Sequence, residues 1–219
     1  MKDPEYLRRE YNERFKGSAV NWTSENLAYC RILARRIIRW TGLKGRKNLR
    51  MLDVGCALGF YTKAFQLEGF DTTGLDYSEV AISRATELHP ECRFIHADGF
   101  NPDLDQKFDL IFCRNFSGAN THDLGFVAGW SNKYVNLLNP GGKFVFSYST
   151  DFSGKESGDE TVNWTKAEMI DYINRVNAWC GGTKYYHRYL IISFLWSEIS
   201  VFVIRKKVKH YFYIIFTGS

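Results

Sequence analysis

Three carboxylates and a run of small residues stand at intervals that suit a nucleoside. Asp53 precedes Gly55, Ala57 and Gly59 in the stretch MLDVGCALGFYTKAF (51–65). Asp76 follows Gly55 by 21 residues, and Asp98 comes one position before Gly99. A turn from strand into helix leaves backbone N–H groups facing outward at the helix N-terminus. Gly55 and Ala57 leave room for a ligand against the main chain, and Gly59 lets the helix pack close to the strands. A carboxylate at 76 can accept both hydroxyls of a ribose, and one at 98 can reach an adenine edge. Tyr77 and Phe100 offer faces to stack on. Helix capping accounts for one such acid, but hardly for three beside a glycine-rich turn. The turn by itself is shared by several nucleotide-binding folds.

The elements that must hold these residues follow from periodicity. SENLAYCRILARRIIRWTG (24–42) carries Leu27, Cys30, Leu33, Ile37 and Trp40 at helical spacing, with Ser24 as a cap and Gly42 as a stop. Arg31, Arg35 and Arg39 form a stripe on the other side, read as a solvated face with an anionic-partner site as the alternative. From residue 49 the pattern alternates. LRMLDVG, TTGLD, CRFIHAD, FDLIFCRN and KFVFSYS read as strands. FYTKAFQLEG, SEVAISRATELHP and THDLGFVAGWSNKYVNLL read as helices, the second capped by Ser78 and the third closed by NPGG. This order implies a parallel sheet covered on both faces. Residues 151–163 read as a polar loop, and Thr165 with Glu168 makes a capping box for a helix over 165–180. The aromatic and β-branched tail is expected to form antiparallel strands. The expected pairing is 183–190 with 198–205, and 198–205 with 210–216 is the alternative.

A chain of 219 residues, 45% hydrophobic and 24% charged, has the composition of one globular domain. Its net charge of +5 is uneven: +8 over residues 1–50, −5 over 51–150 and +2 over 151–219. The candidate site lies in the acidic segment, which argues against nucleic acid as a partner. The five cysteines include no C-x-x-C and fit buried thiols in a reducing compartment. The five histidines have no metal-binding spacing, so no metal is expected. The first residues, MKDPEYLRREYNERF, lack the apolar core of a signal peptide. The longest apolar run, YLIISFLW (189–196), is far below the ~20 residues that span a bilayer. A cytoplasmic location is therefore expected. The end, RKKVKHYFYIIF, reads as a hairpin edge, with membrane-surface contact as the alternative.

With these motifs in this order, residues 51–150 resemble the class I S-adenosylmethionine-dependent methyltransferases. LDVGCALG is similar to their E/D-x-G-x-G-x-G turn, with Ala57 at the middle glycine. GLDYS resembles the acidic second-strand motif, HADGF the adenine-side motif and FDLIFCRN the fourth strand. LLNPGGKFVFS resembles the helix-turn-strand that closes the sheet. The resemblance implies an α/β fold: a doubly wound, mostly parallel seven-stranded sheet with a C-terminal antiparallel hairpin and helices on both faces. It divides the chain into a helical lid over 1–48 and a Rossmann-like domain over 49–219. It also implies S-adenosylmethionine as cofactor. Asp53, Gly55, Cys56, Ala57 and Gly59 would face the methionine moiety, with Asp53 ordering its amino group. Asp76 would hold the ribose, Tyr77 would pack on the adenine, and Asp98, beside Gly99, would bond its amino group. Asn115 and Phe116 would border the sulfonium and the acceptor.

Methyl transfer needs alignment above all. A general base is required only where the acceptor must lose a proton. RNFSGANTHD (114–123) lies where acceptors bind in this family, and His122 is the candidate base; a residue of the helix start touching solvent is the plainer reading. Tyr11 and Trp22 stand in a segment that folds over the cofactor in similar enzymes. They are expected at the substrate, with core packing as the alternative. RNFS departs from the D/N/S-P-P-Y/F/W motif of nucleic-acid amino methylation, and no Pro-Cys pair is present. A small-molecule or protein side-chain acceptor remains, and a small molecule, methylated on oxygen or nitrogen, is the expectation. A nicotinamide-dependent oxidoreductase is a rival, weakened by the G-x-x-x-G spacing and by the lack of Tyr-x-x-x-Lys after the fourth strand. A non-catalytic protein that binds S-adenosylmethionine is another.

Overall fold

Amphipathic and buried runs take up the alternating order that their periodicity implies. The computed structural model describes residues 9–10, 12–13, 15–16, 24–156, 161–177, 179–186 and 210–218. Helix α1 (Ser24–Trp40) precedes β1 (Arg50–Val54), α2 (Phe60–Gln66), β2 (Asp71–Asp76), α3 (Glu79–Leu88), β3 (Arg93–His96) and β4 (Phe108–Arg114). A 3-10 turn, Ser117–Ala119, leads to α4 (Leu124–Val135) and β5 (Leu138–Thr150). Helix α5 (Lys166–Arg175), β6 (Trp179–Tyr186) and β7 (His210–Thr217) follow.

The seven strands form one sheet in the order β3-β2-β1-β4-β5-β7-β6. Strands β1 to β5 pair in parallel, and β7 runs antiparallel to both β5 and β6. The chain winds outward from β1 to β3 and then returns to β4 on the other side of β1. Open α/β sheets bind ligands beyond the carboxyl ends of the strands at such a reversal. Alternate side chains fill the two faces. Phe112, Val145 and Ile215 pack beneath α1 and α2 with Leu33, Ile37 and Phe65. Ile111, Phe146 and Ile214 meet Trp130 and Tyr172 of α4 and α5.

Two expectations are corrected. The NPGG stretch, expected to close α4, lies within β5, beside a register shift against β4. Helix α5 stops at Arg175 rather than near 180, because Val176 turns extended (φ −79°, ψ 128°) and buries its side chain. Residues 183–186 pair with 211–214, and the expected partner 198–205 lies outside the described residues. Burial accounts for that pairing. Tyr213 and Ile215 face one side and Ile214 and Phe216 the other, each at most 5% exposed. A run with no polar face belongs between two strands, which is where β7 sits.

The capping box of α5 is present as expected. Glu168 N–H donates to Thr165 Oγ1 at 3.1 Å, and Thr165 N–H donates to Glu168 Oε2 at 2.8 Å. Thr165→Ala is expected to lower the stability measured by urea denaturation by about 1 kcal/mol. Among the described residues no helix is long and apolar enough to cross a membrane.

Candidate active site

Strand β1 carries Asp53 to the point of reversal and buries it to 3% exposure. Thr62 Oγ1 of α2 donates to Asp53 Oδ2 at 2.7 Å. Burial pushes the Asp53 pKa up to about 7, with a further push from Asp76, while Thr62 and Arg114 pull it down. Near neutral pH this group is poised between acid and carboxylate.

The turn that follows is left-handed three times: φ is 72° at Gly55, 48° at Ala57 and 75° at Gly59. Ala57 adopts the backbone that glycine would take in its place, at a cost of about 1–2 kcal/mol. Its N–H donates to Asp76 Oδ2 at 2.8 Å, which offsets part of that cost. Asp76 Oδ1 accepts from Ser78 N–H at 2.9 Å, so one carboxylate joins the glycine turn to the start of α3. Burial raises its pKa, against the backbone donors of Ser78 and Ala57. Gly59 packs as expected: a Cβ there would lie 2.5 Å from the Phe94 ring and 3.3 Å from the Ala85 methyl. Cys56 is buried, its Sγ 2.9 Å from where Gly74 would carry a Cβ.

Just past β3, Asp98 is exposed, and its Oδ1 accepts from Phe100 N–H at 2.8 Å. The Gly99 carbonyl accepts from Trp130 Nε1–H and Tyr134 O–H, each at 2.6 Å. Phe116 bridges the two turns. Its ring would meet a Cβ at Gly55 at 3.4 Å and one at Gly99 at 2.9 Å. It lies flat on Trp130, with ring centres 4.6 Å apart. Asn115, exposed and left-handed at φ 51°, donates its N–H to the Ser147 carbonyl at 2.9 Å. Tyr77 is half-buried, and its carbonyl accepts from His96 Nε2–H at 3.0 Å.

The loop after β4 is pinned to residues 162–168. His122 Nδ1 lies 2.5 Å from Glu168 Oε1, whose other oxygen serves the capping box. Asn120 Oδ1 accepts from Val162 N–H at 2.7 Å and from Tyr148 O–H at 3.2 Å. Trp164 Nε1–H donates to the Thr121 carbonyl at 2.8 Å. Tyr11 and Trp22 lie outside the described residues. Their neighbours Asn12 and Phe15 reach α3: Ser78 Oγ donates to Asn12 Oδ1 at 2.6 Å, and Phe15 is buried with Leu58 and Ala81. The arginine stripe of α1 has a structural use, since Arg31 and Arg35 both donate to Glu68 Oε1, at 2.6 and 2.8 Å. One charged residue of the site escaped the sequence reading. Arg114, at the end of β4, sets its guanidinium 5.5 Å from the centre of the Tyr61 ring and acts electrostatically on Asp53. A cation closing a buried apolar strand was the signal that could have found it.

Residues 45–210 match the family model described as Methyltransferase domain. The chain belongs to the class I S-adenosylmethionine-dependent methyltransferases. That membership sets aside the nicotinamide-dependent alternative. The methyltransferase is 25% identical over 202 residues to the malonyl-[acyl-carrier protein] O-methyltransferase of Buchnera aphidicola, covering 88% of this chain and 76% of that one. It is 28% identical over 135 residues to the ubiquinone biosynthesis O-methyltransferase of Pseudomonas putida, and there it spans 49% of that chain. Two solved structures share its fold. The N-methyltransferase NodS of Bradyrhizobium japonicum, in complex with S-adenosyl-L-homocysteine, superposes with a TM-score of 0.67 at 14% identity, over 96% of this chain and 97% of that one. Magnesium protoporphyrin IX methyltransferase from Synechocystis, with bound S-adenosylmethionine, gives 0.65 at 14% identity, over 100% and 98%.

Proposed function

We propose that this methyltransferase methylates a hydroxyl oxygen of a small molecule held beside the loop 115–123, with His122 as the general base. The observation that carries this reading is the His122–Glu168 pair. A carboxylate 2.5 Å from Nδ1 favours the proton on that nitrogen and leaves Nε2 to accept one. A base is needed where the acceptor must lose a proton, which favours oxygen over an amine that is already neutral. The two curated relatives named above are O-methyltransferases, in keeping with it.

The residues of the site fit S-adenosylmethionine. Asp76 stands for the ribose, Gly55 and Ala57 open the main chain, Asp98 and Gly99 border the adenine, and Phe116 flanks the methionine side. Asp53, facing the amino group, gives that end its acid. Bound there, the sulfonium supplies a methyl group already activated for in-line displacement, so alignment and exclusion of water do most of the work. Residues 1–48 serve as a lid in this reading. Asn12 and Phe15, bonded and packed against the start of α3 beside Asp76, support that role.

A labelled-methyl assay over phenols, carboxylic acids and amines tests the reading. His122→Gln is expected to lower kcat on the best oxygen acceptor by about 10²–10⁴-fold. Its affinity for S-adenosylhomocysteine should stay within about threefold of wild type, since the base acts on the acceptor. An unchanged kcat, or turnover confined to amines, would rule it out.

A further inference from the structure

The amino end of the sheet, opposite the candidate site, gathers positive charge. Residues 31–50 hold eight bases and no acid. Two of the eight, Arg31 and Arg35, are held by Glu68. Arg39 lies in the last turn of α1, Lys44, Arg46 and Lys47 follow in the next loop, and Arg50 opens β1. All five are exposed, and none pairs with a carboxylate among the described residues. The loop is fixed at both ends, because Leu43 and Leu49 are buried in the core beneath α1, and the bases stand outward between them. Lys143 of β5 extends the cluster; burial and the nearby Arg46 hold its pKa below the usual lysine value. Asp109, one strand away, gives its two oxygens to the Arg50 N–H and the Asn139 amide, at 2.8 and 3.0 Å. Asp71 stands beside Arg50 in register. Like charges gathered in one place repel, so this end of the fold carries a cost in stability.

The other end of the same strands has the opposite sign. Asp53, Asp76 and Asp98 stand at or just past the carboxyl ends of β1, β2 and β3. Such a field turns the amino end toward a negative surface and the site away from it. The chemistry of the surface follows from what accompanies the bases. A protein interface has a charge-poor apolar centre. The exposed large hydrophobics among the described residues, Ile32, Leu67, Leu88 and Ile170, all lie outside 39–50. Nucleic acid is read by an element that enters a groove or by rings that stack on bases. The one aromatic of 39–50, Trp40, is half-buried and packs on Tyr213, with ring centres 5.7 Å apart. A bilayer of anionic headgroups needs neither, only about four to eight bases close together.

We propose that Arg39, Lys44, Arg46, Lys47 and Arg50 dock the protein on an anionic lipid surface, with the active-site end facing away from the bilayer. Each base near such a surface strengthens binding by about fivefold, and salt screens the attraction.

The full chain is sedimented with phosphatidylcholine vesicles and with vesicles that also contain phosphatidylserine. Wild type should bind the second and not the first, and should let go at about 0.5 M salt. The triple variant Lys44→Gln, Arg46→Gln, Lys47→Gln should bind about 100-fold more weakly. Those side chains make no hydrogen bond or ion pair among the described residues, so its Tm should be no lower than that of wild type. Lys155→Gln with Lys166→Gln removes two exposed bases near the carboxyl end of β5 and should stay within about threefold of wild type. Affinity for S-adenosylhomocysteine should be the same on vesicles as in solution. Wild type that ignores the anionic vesicles or binds neutral ones equally overturns the proposal. So does a loss through Lys155 and Lys166 as large as the loss through the loop. Tighter binding to random-sequence duplex DNA or to poly-L-glutamate than to the vesicles would give this end to another partner and overturn it as well. Loss of S-adenosylhomocysteine binding on vesicles would set the site against the bilayer and overturn the orientation. The sedimentation arms need neither donor nor acceptor, so they stand apart from the fate of the proposed reaction.

Discussion

Asp53→Asn is expected to raise the melting temperature of the free protein at pH 8 and to weaken its binding of S-adenosylhomocysteine by about 100-fold. Burial lifts the Asp53 pKa from 3.8 to about 7, so the folded chain holds this proton more tightly than the unfolded one. The native state therefore loses stability as pH climbs from about 4 through about 7, and the penalty is complete above that. A shift of this size corresponds to on the order of a few kcal/mol. Asparagine is uncharged and still accepts from Thr62 Oγ1, so it escapes the penalty. The groups acting on Asp53 are Thr62, Asp76 and Arg114. The buried thiols Cys56 and Cys113, their pKa values raised by burial, are neutral across the range. The gain of the variant should thus be small at pH 5 and largest at pH 8 in thermal melts. A gain that did not change with pH would mean that another group titrates. Binding follows the opposite logic, because in the proposed site only the carboxylate would pair with the ligand's ammonium. Wild-type affinity should tighten as pH rises through about 7, and the variant's should be flat over that range.

Asp53 also marks where the fold was legible and where it was not. Its strand, the left-handed turn behind it and the cap of α3, where Ser78 accepts from Ala81 N–H at 3.1 Å, are local events written in neighbouring residues. The capping box of Thr165 and Glu168 is local in the same sense. The second bond of Glu168, to His122 46 residues earlier, has no local signature at all. Neither has the meeting of Phe116 with Gly55 and Gly99, nor the row Arg114, Ser147 and Tyr213, which exists only once three strands are in register. The apolar run of β7 announces a buried strand but cannot say which neighbours flank it. Asp98 shows the reverse case. A strand-end acid that looked committed to a ligand spends one oxygen on the backbone of its own turn.

Gly59→Ala should cost about 2–5 kcal/mol in urea denaturation, and a second change at Phe94 should recover part of it. Two separate penalties meet at this residue. Alanine at φ 75° gives up about 1–2 kcal/mol of backbone energy. Its methyl would also stand 2.5 Å from Phe94 Cζ, an overpacking worth about 1–3 kcal/mol. The ring cannot simply swing away, because it also covers Gly74, where a Cβ would come within 2.7 Å of it. Phe94→Leu removes the ring edge but leaves the backbone penalty. The double variant should therefore be more stable than the sum of the singles by about 1–3 kcal/mol, with the urea m-value unchanged. Strict additivity would mean that Phe94 is not what Gly59 makes room for. The effect should reach the ligand too. Gly59 is the residue from which α2 starts, and Thr62, one turn on, donates to Asp53. A helix pushed off the sheet loosens that bond, so Gly59→Ala should bind S-adenosylhomocysteine more weakly and the double variant should regain part of the loss. Stability and affinity recovering together would tie the close packing at Gly59 to the acid at the centre of the site.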